Sequence, residues 1–121
     1  MKSTILVVDD EEEICDYIRD ILEEEGHEVR QAFCGEDVSD LIEKKNIHIA
    51  FVDLKLSTAM SGLDVIKLLK DTCPNIKIAA MTGYVDAYLK QQTDQLGVSL
   101  FLEKPFRPKD VVKAINKLLG L

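Results

Sequence analysis

The sequence predicts an α/β fold, a parallel sheet covered on both faces by helices. Five short apolar runs alternate strictly with five helical stretches along 121 residues, and that alternation implies parallel strands joined by right-handed crossovers. The run at residues 4–8 also lacks polar alternation, as expected of a strand covered on both sides. A chain of this length is one domain by expectation, because it buries roughly two-thirds of its unfolded surface.

Residues 4–8 read as a central strand. The first helix follows, with Ile14, Ile18, Ile21 and Leu22 at helical spacing, an acidic opening at residues 10–13 that suits the positive end of the helix dipole, and a stop at Gly26. Asp10 is the expected cap. Residues 28–33 alternate and read as a more exposed strand, with Gly35 turning into a helix that sends Val38, Leu41 and Ile42 inward and ends at Asn46.

Residues 47–52 form the second strongly buried run, followed by a loop of small and turn-forming residues at 57–62. Val65, Ile66, Leu68 and Leu69 mark the third helix, closed by Pro74. Residues 76–81 give the fourth strand. Residues 86–96 offer only Ala87, Tyr88, Leu89 and Leu96 as apolar contacts, so the fourth helix should be weakly anchored. Residues 98–102 are the fifth strand, and Pro108 opens a last helix built on Val111, Val112, Ile115, Leu118 and Leu119.

The composition narrows the function classes. Formal charge is −7 with basic and acidic residues interleaved, which disfavours nucleic-acid binding. No apolar run reaches the roughly 18 residues a membrane span needs and no leader pattern opens the chain, so a cytoplasmic protein is expected. Cys15, Cys34 and Cys73 are widely spaced and odd in number, which predicts reduced thiols rather than a disulfide framework or zinc cluster. His27 and His48 have no metal-spaced partners and read as surface or turn residues.

Polar residues stand where the apolar runs stop: Asp9 and Asp10 after the first, Asp53 after the third, Thr82 after the fourth, Lys104 after the fifth. In an open parallel sheet those ends converge on the ligand crevice. Three carboxylates there repel one another and either raise a pKa or recruit a cation. Magnesium fits this oxygen set best, with manganese able to substitute. Asp53, ending the central strand, is then the candidate nucleophile toward phosphorus, with Lys104 and Thr82 binding phosphoryl oxygens. Taken singly, each residue has a plainer reading: Asp9-Asp10 a helix cap, Asp53 and Thr82 strand-end turn residues, Lys104-Pro105 an ordinary turn.

Val7-Val-Asp-Asp10, Asp53, Met81-Thr-Gly83 and Glu103-Lys-Pro-Phe106 together resemble the hallmark positions of the response-regulator receiver domain of two-component signalling, over essentially all of residues 1–121. The resemblance implies a flavodoxin-like (βα)5 three-layer sandwich with sheet order 2-1-3-4-5, and a phosphoryl group received from a sensor histidine kinase. It implies Asp53 as phosphoacceptor, Asp9, Asp10, Asp53 and the main-chain carbonyl of Lys55 as magnesium ligands, and Thr82 and Lys104 as switch residues. Phe101 takes the place of the aromatic rotamer switch, and Pro105 that of a cis-proline turn. Such a domain is a regulator rather than an enzyme. Its output passes through the surface of the fourth helix, fifth strand and fifth helix to a protein target, a further effector domain or a second copy.

The chain departs from the pattern after Asp53. Receivers often carry proline four residues later and glycine eight later, whereas this chain has Ser57 and places Gly62 nine later, a loop one residue longer. Lys55 brings a second ammonium toward the pocket mouth, which would lower metal affinity. An aspartate-nucleophile phosphohydrolase is the enzymatic alternative, but Lys55 stands where such enzymes resemble one another in carrying a second acid. A receiver-like interaction module that never takes phosphate is the third reading. Tyr84 and Tyr88 are open between partner contact and packing.

Overall fold

The structure, a computed structural model, describes residues 2–44, 46–57 and 59–121. Its elements are β1 (Thr4–Val8), α1 (Glu12–Glu24), β2 (Glu28–Ala32), α2 (Val38–Lys44), β3 (Ile49–Asp53), α3 (Gly62–Thr72), β4 (Lys77–Thr82), α4 (Ala87–Gln95), β5 (Leu100–Glu103) and α5 (Pro108–Leu118). All strand pairs are parallel, in the order β2-β1-β3-β4-β5. The flavodoxin-like order expected from the sequence is the order found.

The two-residue period of a strand sorts the sheet's side chains into two cores. Ile5, Val7, Ile49, Phe51, Ala79 and Met81 meet Cys15, Ile18 and Leu22 of α1 and Val111, Ile115 and Leu118 of α5. Leu6, Val8, Ala50, Val52, Ile78 and Ala80 meet Val38 and Ile42 of α2 and Val65, Ile66 and Leu69 of α3. Because β1 and β3 bury both parities, neither could alternate polar residues, which is why their runs are continuous in the sequence. Each fully buried Ile, Leu or Phe in these layers contributes roughly 1.5–3 kcal/mol.

Helix ends follow local chemistry. Gly26, with φ +92°, closes α1 in the left-handed conformation that disfavours other residues. Ser61 and Asp64 form a reciprocal capping box at α3. Asp86 caps α4 by accepting the Leu89 N–H at 2.7 Å. In α4 the one fully buried residue is Thr93, whose hydroxyl donates back to the carbonyls of Leu89 and Lys90, so this helix is weakly anchored as expected.

Three local expectations change. The residue before α1 is Glu11, with no side-chain cap, and Asp9 rather than Asp10 accepts its N–H, because the turn after β1 directs Asp9 back along the chain. The second helix ends at Lys44, short of Asn46, and Lys45 lies outside the described residues. His27 is buried. Its Nδ1 accepts the Ser3 N–H and that of His48 accepts the Thr4 N–H, each at 3.1 Å, so the two imidazoles, one from each side, satisfy donors where β1 begins.

An accepting Nδ1 requires a neutral ring. Burial holds the His27 pKa below its ordinary value, so the stability it contributes is full above the unfolded value of about 6.5 and is lost as pH falls below it. His27→Gln keeps an acceptor without titrating. Urea titrations at pH 7 and pH 5 should show wild type losing more stability than His27→Gln across that interval.

Candidate functional site

Parallel register assembles the site. Val8 of β1 pairs with Val52 of β3, so Asp9, the next residue, stands beside Asp53 at the sheet's carboxyl edge. Both are buried, at 0% and 4% exposure, while Asp10 is half-buried. One carboxylate oxygen from each of Asp9, Asp10 and Asp53 lies within 4.8 Å of the others. Lys104 arrives from the loop between β5 and α5, where the Lys104-Pro105 bond is cis and the Lys104 N–H donates to the Thr82 carbonyl at 2.7 Å. Its Nζ lies 2.8 Å from Asp9 Oδ2, 3.4 Å from Asp53 Oδ2 and 3.7 Å from Glu11.

Backbone donors complete the hollow. The N–H groups of Lys55, Glu11 and Ser57 donate to Asp53 Oδ1, Asp9 Oδ1 and Asp10 Oδ2 at 3.1, 2.9 and 3.2 Å. The buried Cys15 thiol donates to the Asp9 carbonyl at 3.3 Å, fixing the turn from below. Gly62 packs so closely that a Cβ would stand 2.2 Å from the Asp53 carbonyl oxygen, which is why the loop returns to the sheet at a glycine.

Burial, charge and hydrogen bonding perturb Asp53, Lys104, Asp10 and Cys15. Burial first, then the charge of Asp9, push the Asp53 carboxyl up to about 6 against the opposing Lys55 N–H and Lys104. Burial pulls Lys104 down, but its hydrogen bond to Asp9 and the charges of Asp53 and Asp9 leave it above its ordinary value. The Ser57 hydroxyl, ahead of burial's opposing effect and aided by the Ser57 N–H, holds Asp10 low. Burial and the Asp9 charge push the Cys15 thiol to about 12, so it is inert as a nucleophile. The donors are hard oxygens in acidic excess, and magnesium fits them where zinc would not.

The response regulator receiver domain model matches residues 5–116. The chain belongs to the response regulator receiver domain family. Sporulation initiation phosphotransferase F of Bacillus subtilis is 29% identical over all of this chain and 97% of its own length. The response regulator SaeR of Staphylococcus epidermidis is 30% identical over 96% of this chain, which spans about half of SaeR's length. Among solved structures, a CheY-like receiver protein from Methanospirillum hungatei superposes with a TM-score of 0.92 at 29% identity, covering 99% of this chain and 95% of that one. The chemotaxis protein CheY4 of Vibrio cholerae, at 22% identity and TM-score 0.91 over 98% of this chain and 99% of its own, shares the fold.

In this receiver domain Asp9, Asp10, Asp53 and Lys104 come together as the sequence led us to expect, whereas the Thr82 hydroxyl and Phe101 engage other partners. The Thr82 hydroxyl is engaged locally, donating to the Tyr84 carbonyl at 3.0 Å and accepting the Tyr84 N–H at 3.2 Å. Phe101 is half-buried against the α2–α3 core, with Lys90 Nζ 5.6 Å from its ring centroid. Lys55 is exposed at the mouth, and Tyr84 and Tyr88 are both 70% exposed, which settles them as surface rather than core. Ser57 and Cys15 were not expected at the site. Contact between Ser57 and Asp10 depends on the path of a loop and leaves no periodic signal in the sequence.

The raised Asp53 value sets a pH dependence. The folded state holds this proton more tightly than the unfolded chain, so Asp53 erodes stability as pH rises from about 4 to about 6, and the full cost stands above that. In chelator at pH 7, Asp53→Asn should be more stable than wild type by roughly 1–3 kcal/mol in urea denaturation, a gain that closes below pH 4.

Proposed function

We propose that residues 1–121 act as one phosphoacceptor switch, taking a phosphoryl group onto Asp53 from a sensor histidine kinase or a small phosphodonor. The observation that carries this reading is the convergence of Asp9, Asp10, Asp53 and Lys104 in one hollow. Asp9, Asp10, Asp53 and the Lys55 carbonyl would hold magnesium, which when bound neutralises the clustered carboxylates and the charge on phosphoryl oxygens. Asp53 is the acid best placed for attack: it ends the central strand, and its Oδ1 is oriented by the Lys55 N–H.

In the transfer, an Asp53 oxygen bonds to phosphorus as the bond to the donor nitrogen of phosphohistidine breaks, and the departing imidazole takes up a proton from solvent. Lys104, already 3.4 Å from Asp53, supplies positive charge to the phosphoryl oxygens. The Thr82 hydroxyl gives them a hydrogen bond after leaving Tyr84. That movement releases the turn leading into the weakly anchored α4, and Phe101 repacks with it, changing the α4-β5-α5 surface.

The output partner is a protein target, a second copy of the chain or an effector domain in a longer chain, and action in the cytoplasm belongs to this reading. Among the described residues no helix is long and apolar enough to cross a membrane. The phosphohydrolase alternative wants an acid where Lys55 stands, and so has no proton donor at that position.

Incubation with acetyl phosphate and magnesium, read by intact mass, should add one phosphoryl group to wild type and none to Asp53→Asn. Lys104→Ala should fold and show at least a tenfold slower gain, on the scale of losing one electrostatic contact to the transferring group, about 10²-fold. A labelled Asp53→Asn chain would overturn the assignment.

A further inference from the structure

The loop between Asp53 and α3 is where this chain departs from the receiver pattern, and both ends of that loop are fixed. At the near end the Lys55 N–H is tied to Asp53. At the far end Gly62 lies on the Asp53 carbonyl, and the Met60 side chain covers Gly35, where an added Cβ would stand 2.9 Å from it. Between them the Ser57 N–H donates to Asp10 Oδ2 at 3.2 Å.

Asp10 is the most exposed of the three acids. Repulsion from Asp9 and Asp53 favours its swinging out to water, and the Ser57 N–H opposes that swing. A carboxylate has about four lone-pair sites, so accepting from Ser57 leaves capacity for a cation. One oxygen from each of the three acids lies within 4.8 Å of the others while this latch is closed.

We infer that Ser57 is a positioning residue for the cation site, latching Asp10 toward the hollow so that a divalent ion meets a preformed set of three carboxylates. The inference rests on reading the hollow as a magnesium site. On this reading the longer loop brings a main-chain N–H to a position where proline, the residue often found there in receivers, has none.

The test is a magnesium titration of the full chain at fixed pH and ionic strength, followed by amide chemical shifts, for wild type, Ser57→Ala, Ser57→Thr, Ser57→Pro and Asp10→Asn. Loss of an outer partner of a metal ligand costs about ten- to a hundredfold in affinity, and the exposure of this latch places it at the low end. Ser57→Pro, which removes the N–H, should weaken magnesium about tenfold, whereas Ser57→Ala and Ser57→Thr, which keep it, should match wild type. Melting in chelator should be little changed across the Ser57 series, and the metal-free Ser57 amide shift should move in Asp10→Asn. Equal affinities across that series, with Asp10→Asn weakened, would overturn the latch and leave the magnesium reading standing. Absence of magnesium binding by wild type would overturn both.

Discussion

Buried like charge governs this molecule. Asp9 and Asp53 lose nearly all contact with water at the edge of a sheet, Asp10 stands beside them, and one ammonium reaches two of the three. A carboxylate in that position is stable only with positive charge or directed donors around it. The surrounding structure supplies both: backbone N–H groups from the loops after β1 and β3, and Lys104 from the loop after β5. The remaining imbalance is what makes the hollow receptive to a divalent ion.

The same hollow joins a rigid part of the fold to a soft one. The ends of β1 and β3 are set by two full layers of apolar packing, so Asp9 and Asp53 have little freedom. Thr82 ends β4, but its hydroxyl is spent on the turn to Tyr84, beyond which α4 rests on few buried contacts. Proteins draw their moving segments from such low-stability regions. The arrangement places a fixed acidic centre next to a turn that leads into a weakly anchored helix, the combination on which the proposed switch draws.

Much of the fold and candidate site was legible because it rests on periodicity and on strand ends. The continuous apolar runs of β1 and β3 announced burial on both faces, and residues that terminate parallel strands must share an edge. The less legible features depend on single turns. Which acid accepts the Glu11 N–H, whether α2 stops at Lys44, and where the loop after Asp53 travels are each decided by a few dihedral angles that leave no repeating pattern. His27 looked like a surface residue because a lone polar residue next to a turn glycine has no neighbours in sequence to reveal that its ring covers the start of β1.

The sequence by itself determined the class of fold, the order of its elements and the membership of the acidic centre, since these follow from a pattern of apolar runs and polar strand ends repeated along the chain. Only the tertiary structure decided how the centre is wired: Lys104 nearer Asp9 than Asp53, Ser57 bound to Asp10, Thr82 turned to Tyr84. Those choices are differences of an ångström or so between neighbouring polar groups. They are made by the competition of charge, burial and backbone donors within a few contacts, where no average over the chain applies.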